Sequence, residues 1–376
     1  MNKNVNGAAR QPRDRRLDFI RGVAIITIAL NHLSWLTNEL GRVGQSFPTL
    51  TAFGYSSSAE IFFLLSGYLV GRLYVPCERV VDIRNLIKRS FDRAIKLYIF
   101  NVVIFVVLAA FSGVVGIKLL TLTGFIYVGD EPFDAMWKFL TLQGHPALLG
   151  ILQYYFVFLI GVPLFAFVLV RSVTMALLAS VLLYAAVQFF PDLNIDGGTF
   201  GRENGWAFNP MAWQLIFYFG LAGGRFNIFD KSVWKIDYYK WAVAFSALIF
   251  FGLTLVYVIQ KMNGGMIEAY SLVLASKQNL GVFRLMHVTA LLFGLLVLLD
   301  RFNSVLTWRP SRWIETVGSI SLYSFLLTIL LNYVGAHIWV TNPGKLSYWL
   351  IAVATVLGLI VFSVNFQRWM KYRPTA

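Results

Sequence analysis

The sequence predicts an all-α integral membrane protein, a bundle of about ten transmembrane helices with both termini cytoplasmic. Three observations carry that expectation. The chain is 58% hydrophobic and only 13% charged, with a mean hydropathy of +0.67. Apolar runs near the length that crosses a bilayer, about twenty residues, recur along its whole length. Lys and Arg are concentrated in alternate loops, as cytoplasmic loops require.

The spans are expected near residues 17–36, 56–74, 95–115, 147–169, 172–190, 208–224, 241–260, 285–300, 317–339 and 347–366. On one side lie Arg10, Arg13, Arg15 and Arg16, then Arg72, Arg79, Arg84, Lys88, Arg89, Arg93 and Lys96, then Arg171. Arg225, Lys231, Lys235 and Lys240 follow on that side, with Arg301, Arg309, Arg312 and the terminal Arg368, Lys371 and Arg373. The intervening loops carry acids such as Asp130, Glu131, Asp134, Asp192, Asp196 and Glu203. The organisation is a basic tail over 1–16, one polytopic membrane domain over 17–367 and a basic tail over 368–376. The first apolar stretch has the length of a full span and no small-residue cleavage site after it, so it is read as a retained helix. Residues 113–146, 191–207 and 261–284 are the longest pieces outside the spans. Asp130-Glu131-Pro132-Phe133-Asp134 reads as a loop and Asp196-Gly197-Gly198 as a turn.

Composition excludes several classes. The single cysteine, Cys77, rules out internal disulfides and cysteine-based metal clusters, and no metal site is expected. Gly-rich phosphate loops, HExxH and EF-hand patterns do not occur. The net charge of +14 reads as orientation charge, with no nucleic-acid partner; the partner is the lipid bilayer.

The most informative pattern lies in the first span. Arg21 and His32 are eleven residues apart on one helix, so they face within roughly 20° of each other, about 16 Å apart along the axis. Ionisable groups at membrane depth are costly and usually face a cavity. Glu60, near the outer end of the second span, comes out at the depth of His32. A carboxylate beside the imidazole would orient the ring and make a general base. The same pair also fits a polar contact that merely holds two helices together.

These residues resemble a known family. Arg21, ten residues and His32, followed by Phe62-Phe63-Leu64-Leu65-Ser66-Gly67-Tyr68 and the basic run Lys88-Arg89-Ser90-Phe91-Asp92-Arg93, resemble the acyltransferase-3 superfamily of membrane acyltransferases. A nearer resemblance is to the OpgC family, which attaches succinyl groups to osmoregulated periplasmic glucans. It rests on Arg15-Arg16-Leu17-Asp18-Phe19-Ile20-Arg21-Gly22, Phe53-Gly54-Tyr55-Ser56-Ser57-Ser58-Ala59-Glu60 and Asn209-Pro210-Met211-Ala212-Trp213-Gln214-Leu215. Arg284-Leu285-Met286-His287 and Gly318-Ser319-Ile320-Ser321-Leu322-Tyr323 are weaker echoes, and the match runs from about residue 13 to about 370. The resemblance implies a bacterial inner-membrane, multi-pass O-acyltransferase. It would move an acyl group, succinyl by the nearer match, from cytoplasmic acyl-coenzyme A to hydroxyls of a periplasmic glucan. No cofactor would be permanently bound; acyl-CoA is the donor substrate. By that resemblance His32 would be the catalytic histidine and Arg21 a residue of the same catalytic helix; Glu60, placed beside His32 by its depth, completes the expected catalytic set.

Arg21, Arg72, Arg89 and Arg93 are the candidates for binding acyl-CoA, Arg89 and Arg93 lying one helical turn apart. The surrounding basic cluster also fits orientation charge and contact with anionic lipid. Asn209, Trp213, Gln214 and His287 are the candidates for the acceptor, an aromatic beside amides suiting sugar recognition; Trp at an interface is also ordinary belt chemistry. His145 reads as a solvated loop residue and His337 as structural. Thr328 stands where the superfamily often carries a second histidine, which weakens any expectation of one here. Open alternatives are an O-acetyltransferase acting on another envelope glycan, a polytopic transporter, and a non-catalytic scaffold.

Overall fold

The computed structural model describes residues 13–41, 47, 49–77, 81–201, 205–262 and 273–372. Arg10, Arg79, Glu203 and Arg373 of the charge pattern lie outside the described residues. Fourteen α-helices run through the described chain. In order they are α1 (Arg15–Gly41), α2 (Ser58–Tyr74), α3 (Ile83–Ser112), α4 (Ile117–Thr123), α5 (Phe125–Asp130), α6 (Pro132–Leu140) and α7 (Gly150–Arg171). After these come α8 (Val173–Phe189), α9 (Pro210–Arg225), α10 (Ile236–Met262), α11 (Val282–Arg301), α12 (Arg309–Ser319), α13 (Ser321–Thr341) and α14 (Lys345–Tyr372). One short parallel pair, Gly144–His145 with Gly198–Thr199, ties two loops together.

Seven of these helices, α1, α3, α7, α10, α11, α13 and α14, are long and apolar enough to cross a membrane. Three of the expected spans form shorter apolar helices: α2 and α8 of 17 residues and α9 of 16. The expected span at 317–339 is two helices, α12 and α13, with the break at Ile320 (φ −112°, ψ 36°). The third expected span begins twelve residues earlier than hydropathy suggests, because Asp82 caps α3 by accepting from the amides of Arg84 and Asn85. The basic run 88–93 is therefore helical. The stretch read as a loop at 130–134 instead passes from α5 into α6, with Pro132 in the first turn of α6. A fixed φ and a missing N–H suit that position and escape a hydropathy reading.

α1 is the axis of the bundle. Leu17, Ile20, Ala24, Ile25, Leu33 and Leu36 are all buried although they point in several directions, as a helix surrounded by other helices demands. It packs against α12, α13 and α2, while α2 packs most extensively on α9. Both contacts are made backbone to backbone. A Cβ on Gly22 would strike the Ile314 carbonyl, and one on Gly318 the Asp18 carbonyl. Gly67 and Gly71 of α2 meet the carbonyls of Phe217 and Leu221; Gly220 and Gly224 of α9 meet those of Leu64 and Tyr68. This is small-residue packing spaced four apart, the means by which helices associate where apolar burial gives no advantage over lipid. α10, by contrast, buries only Leu253 among its described side chains and presents an apolar surface outward.

Gly71→Val should therefore lower stability by about 1–3 kcal/mol or prevent assembly, read as a fall in the thermal midpoint of the detergent-purified protein. Gly252→Ala, in α10 with nothing within 4 Å of the new methyl, should leave the midpoint unchanged or raise it.

Candidate active site: two cavities along one helix

The first turns of α1 are fixed by charge. Arg15 donates to Glu315 of α12 at 2.9 Å, and Arg16 reaches both Asp14 and Asp300 at 2.7 Å. Arg13 pairs with Asp18 and donates to the Ser319 carbonyl at 2.9 Å. The next polar residue inward, Arg21, is 6% exposed. Its Nη2 donates to Ser321 Oγ, its Nε has no partner among the described residues, and its guanidinium lies 5.9 Å from the Phe62 ring. The break at Ile320 makes Ser321 the first residue of α13 and aims it at Arg21.

Arg21 forms the inner wall of a cavity of about 1020 Å³ at the basic end of the bundle. Arg72, Arg89, Arg93 and Lys96 line the same cavity, with Asp14, Asp18 and Asp92 as its acids. All four residues expected to receive acyl-CoA thus share one space. Arg89 stacks on Tyr74 at 4.2 Å, and its Nη1 donates to the Leu73 carbonyl at 3.2 Å. Lys96 stands 5.5 Å from the Tyr323 ring.

His32 lines a second cavity, of about 460 Å³, around the opposite ends of α1 and α2. Its neighbours there include Ser57, Ala59, His145, Tyr154, Phe208 and Lys277. The Nδ1 of His32 is buried with no hydrogen-bond partner among the described residues. The Lys277 side chain lines this cavity, its ammonium 5.4 Å above the Phe208 ring. Desolvation holds that ammonium below the usual lysine range, against the opposing pull of Glu60. His145 is not solvated, contrary to expectation: it is 4% exposed, donates through Nδ1 to the Pro146 carbonyl at 2.9 Å, and packs where a Gly150 side chain would stand. Burial pushes its imidazole down to about 4, so it is neutral at physiological pH.

Glu60 does not pair with His32. Its Oε1 accepts from Arg284 of α11 at 2.7 Å (Nε) and 2.6 Å (Nη2), and its Oε2 accepts from the Ser57 amide at 2.8 Å and from the Ser57 hydroxyl. Four donors fill a carboxylate, which is wholly buried here. Ala59 lines the His32 cavity, and Glu60 is one residue, about 100°, further round the helix.

The four residues expected to meet an acceptor are also committed elsewhere. Asn209 caps α9 by accepting from the Met211 amide, and donates to the Leu193 carbonyl at 2.6 Å. Trp213 donates to the carbonyls of Lys277 and Gln278 and stacks on Phe208. Gln214 spends its amide on Ser180 of α8. His287 shares a hydrogen bond with Ser56 at 2.7 Å and packs against Gly54. None of the four lines the His32 cavity; Trp213 supports it from behind, through Phe208 and the Lys277 backbone. His337 meets Phe111 edge-on, 5.7 Å between ring centroids.

Between the cavities lies an aromatic layer: Phe62 meets Phe325 at 6.0 Å and Tyr155 at 5.5 Å, and Tyr155 stacks on Phe63 at 4.6 Å. Arg284 went unassigned by sequence because its partner Glu60 lies 224 positions away, and Lys277 because it reaches Phe208 and the His32 cavity from a loop. No helical spacing connects them.

A multi-pass membrane protein with ionisable groups drawn into a cavity at each end of one central helix is the class these features define. The chain belongs to the OpgC protein family, which it matches over residues 13–372. Membership suggests a glucan-modifying acyltransferase. No curated protein matches the chain, and no solved structure does.

Arg284→Ala would strand the Glu60 carboxylate and should cost about 3–5 kcal/mol, seen as a large drop in thermal midpoint. The double variant Glu60→Gln with Arg284→Met should recover most of that loss, since a neutral pair of similar volume strands no charge.

Proposed function

We propose that this protein is an O-acyltransferase of the bacterial inner membrane that carries acyl groups, succinyl foremost, from cytoplasmic acyl-coenzyme A to hydroxyls of a periplasmic glucan. One observation carries the reading. Arg21 and His32 occupy a single helix, and each lines its own cavity at an opposite end of it. In this reading the basic cavity faces the cytoplasm, in accord with the alternation of Lys and Arg. The bundle then counts ten crossings, with α2, α8 and α9 as short spans. The likeness to the acyltransferase-3 superfamily in the first helix agrees with it.

The phosphates of coenzyme A would rest among Arg72, Arg89 and Arg93, where guanidinium groups offer forked donors to phosphate oxygens. The pantetheine arm would extend past Arg21 toward His32, a rise of about 16 Å along α1. Phe62, Tyr155 and Phe325 must part for it. Arg21, with Nε unpartnered, offers a donor to the carboxylate of a succinyl group on its way.

In the outer cavity His32 Nε2 removes the proton of a glucan hydroxyl as its oxygen attacks the thioester carbonyl. The Lys277 ammonium stabilises the oxyanion that forms on that carbonyl oxygen. Collapse breaks the carbon–sulfur bond; the coenzyme A thiolate leaves and recovers the proton from the imidazolium. The products are an ester on the glucan and free coenzyme A.

Incubation of purified protein with radiolabelled succinyl-coenzyme A and glucan tests the reading. Wild type should label the glucan and His32→Ala should lose transfer while keeping its thermal midpoint; full activity in that variant would remove the base. Lys277→Met should lower kcat by about 10²–10³. Entry of glucan or acyl donor into vesicles without ester formation would instead favour transport.

A further inference from the structure

Asn332 of α13 is wholly buried, and neither its Oδ1 nor its Nδ2 has a hydrogen-bond partner among the described residues. An amide in that state is unfavourable, so the position calls for a use. The packing of α13 on α1 supplies one. The two helices run parallel, and Arg21 touches Ser321. Eleven residues on, each helix has turned back to the same face, bringing His32 level with Asn332. The upper end gives the same register. Leu36 and Ala336 share one apolar cluster, and four residues below them stand His32 and Asn332. Leu33 meets Gly335 between these points.

We propose that Asn332 is the positioning residue for His32: its amide carbonyl accepts the Nδ1–H of the imidazole, by a turn of its side chain or through one water, and so keeps Nε2 unprotonated toward the outer cavity. This rests on the base role of His32 given above and assigns to Asn332 the orienting part that Glu60 cannot play. Which ring nitrogen carries the proton is set by the hydrogen bond the other makes. Such contacts are often loose before substrate is bound.

Glu60, Asn31, Ser34, Lys277 and His145 are unsuited to that part. Glu60 is saturated by Arg284 and Ser57. Asn31 is tied to Thr49 and Thr51, and Ser34 to Leu30 and Tyr348. Lys277 is a cation and can only donate. His145 keeps an acceptor at Nε2, but that atom is pressed onto the Gly150 backbone of α7.

The test is nitrogen NMR of the full-length protein in lipid nanodiscs with ¹⁵N-labelled histidine, the His32 signals being identified by their loss in His32→Ala. In wild type His32 should be the Nδ1–H tautomer. Asn332→Leu, similar in volume but without an acceptor, should shift it toward Nε2–H and lower kcat tenfold or more at unchanged KM for the donor. Asn332→Asp, which keeps an acceptor, should retain the Nδ1–H form. A wild-type His32 already in the Nε2–H form overturns the proposal, as does a tautomer that ignores Asn332→Leu and responds to His145→Phe. The wild-type spectrum decides even if a variant fails to fold. Because the tautomer is read without turnover, failure of the acyl-transfer reading shows separately, as a wild type that labels no glucan.

Discussion

Backbone-to-backbone contact through glycine is the constraint on which the rest of this structure depends. Gly22 and Gly318 bring α1 against α12, and Gly67, Gly71, Gly220 and Gly224 bring α2 against α9. Side chains at these six points would force the helices apart. Close approach puts Ser321 within reach of Arg21 and sets Ser57 and Ala59 beside His32. The ionic contacts of Arg15 and Arg16 then fix the rotation of α1 at its basic end. Rotation matters because both cavities are read off one helix: a turn of 100° would take both Arg21 and His32 out of them.

Charge follows a consistent division. Glu60 and Arg284 neutralise each other inside the bundle, where an unpaired ion would be costly. Arg21 Nε and His32 Nδ1, both on the central helix, are among the buried atoms that have no hydrogen-bond partner among the described residues, and Lys277 stands in the His32 cavity. The proposed acyl transfer calls for cations at the donor end and a neutral base at the acceptor end. Histidine suits the second place because it alone is naturally poised near neutrality.

The helical class was legible in composition, and Arg21 and His32 in a spacing of eleven on one helix, because periodicity within a helix is a local property. The resemblance to the OpgC family stands, as the match over residues 13–372 shows. What was not legible required knowing which helix lies beside which. Glu60 was matched to His32 by depth alone, yet its partner comes from α11. Trp213 and Gln214 looked like a sugar platform, but α8 and the loop at 277–278 had already claimed their donors. The break at Ile320 hid inside one apolar run because hydropathy does not register a change of direction in the chain. The expected spans at 56–74 and 208–224 are present as the short helices α2 and α9, of 17 and 16 residues.

Transfer across a sealed bilayer tests the central claim most directly. Protein in proteoliposomes would receive labelled succinyl-coenzyme A at the basic end and glucan at the other, with each added to the wrong side as a control. Ester should form on the glucan only in the first arrangement, with coenzyme A released on the side where it was supplied. Equal esterification from either side, or label that reaches the glucan compartment still attached to coenzyme A, would contradict two cavities joined through α1.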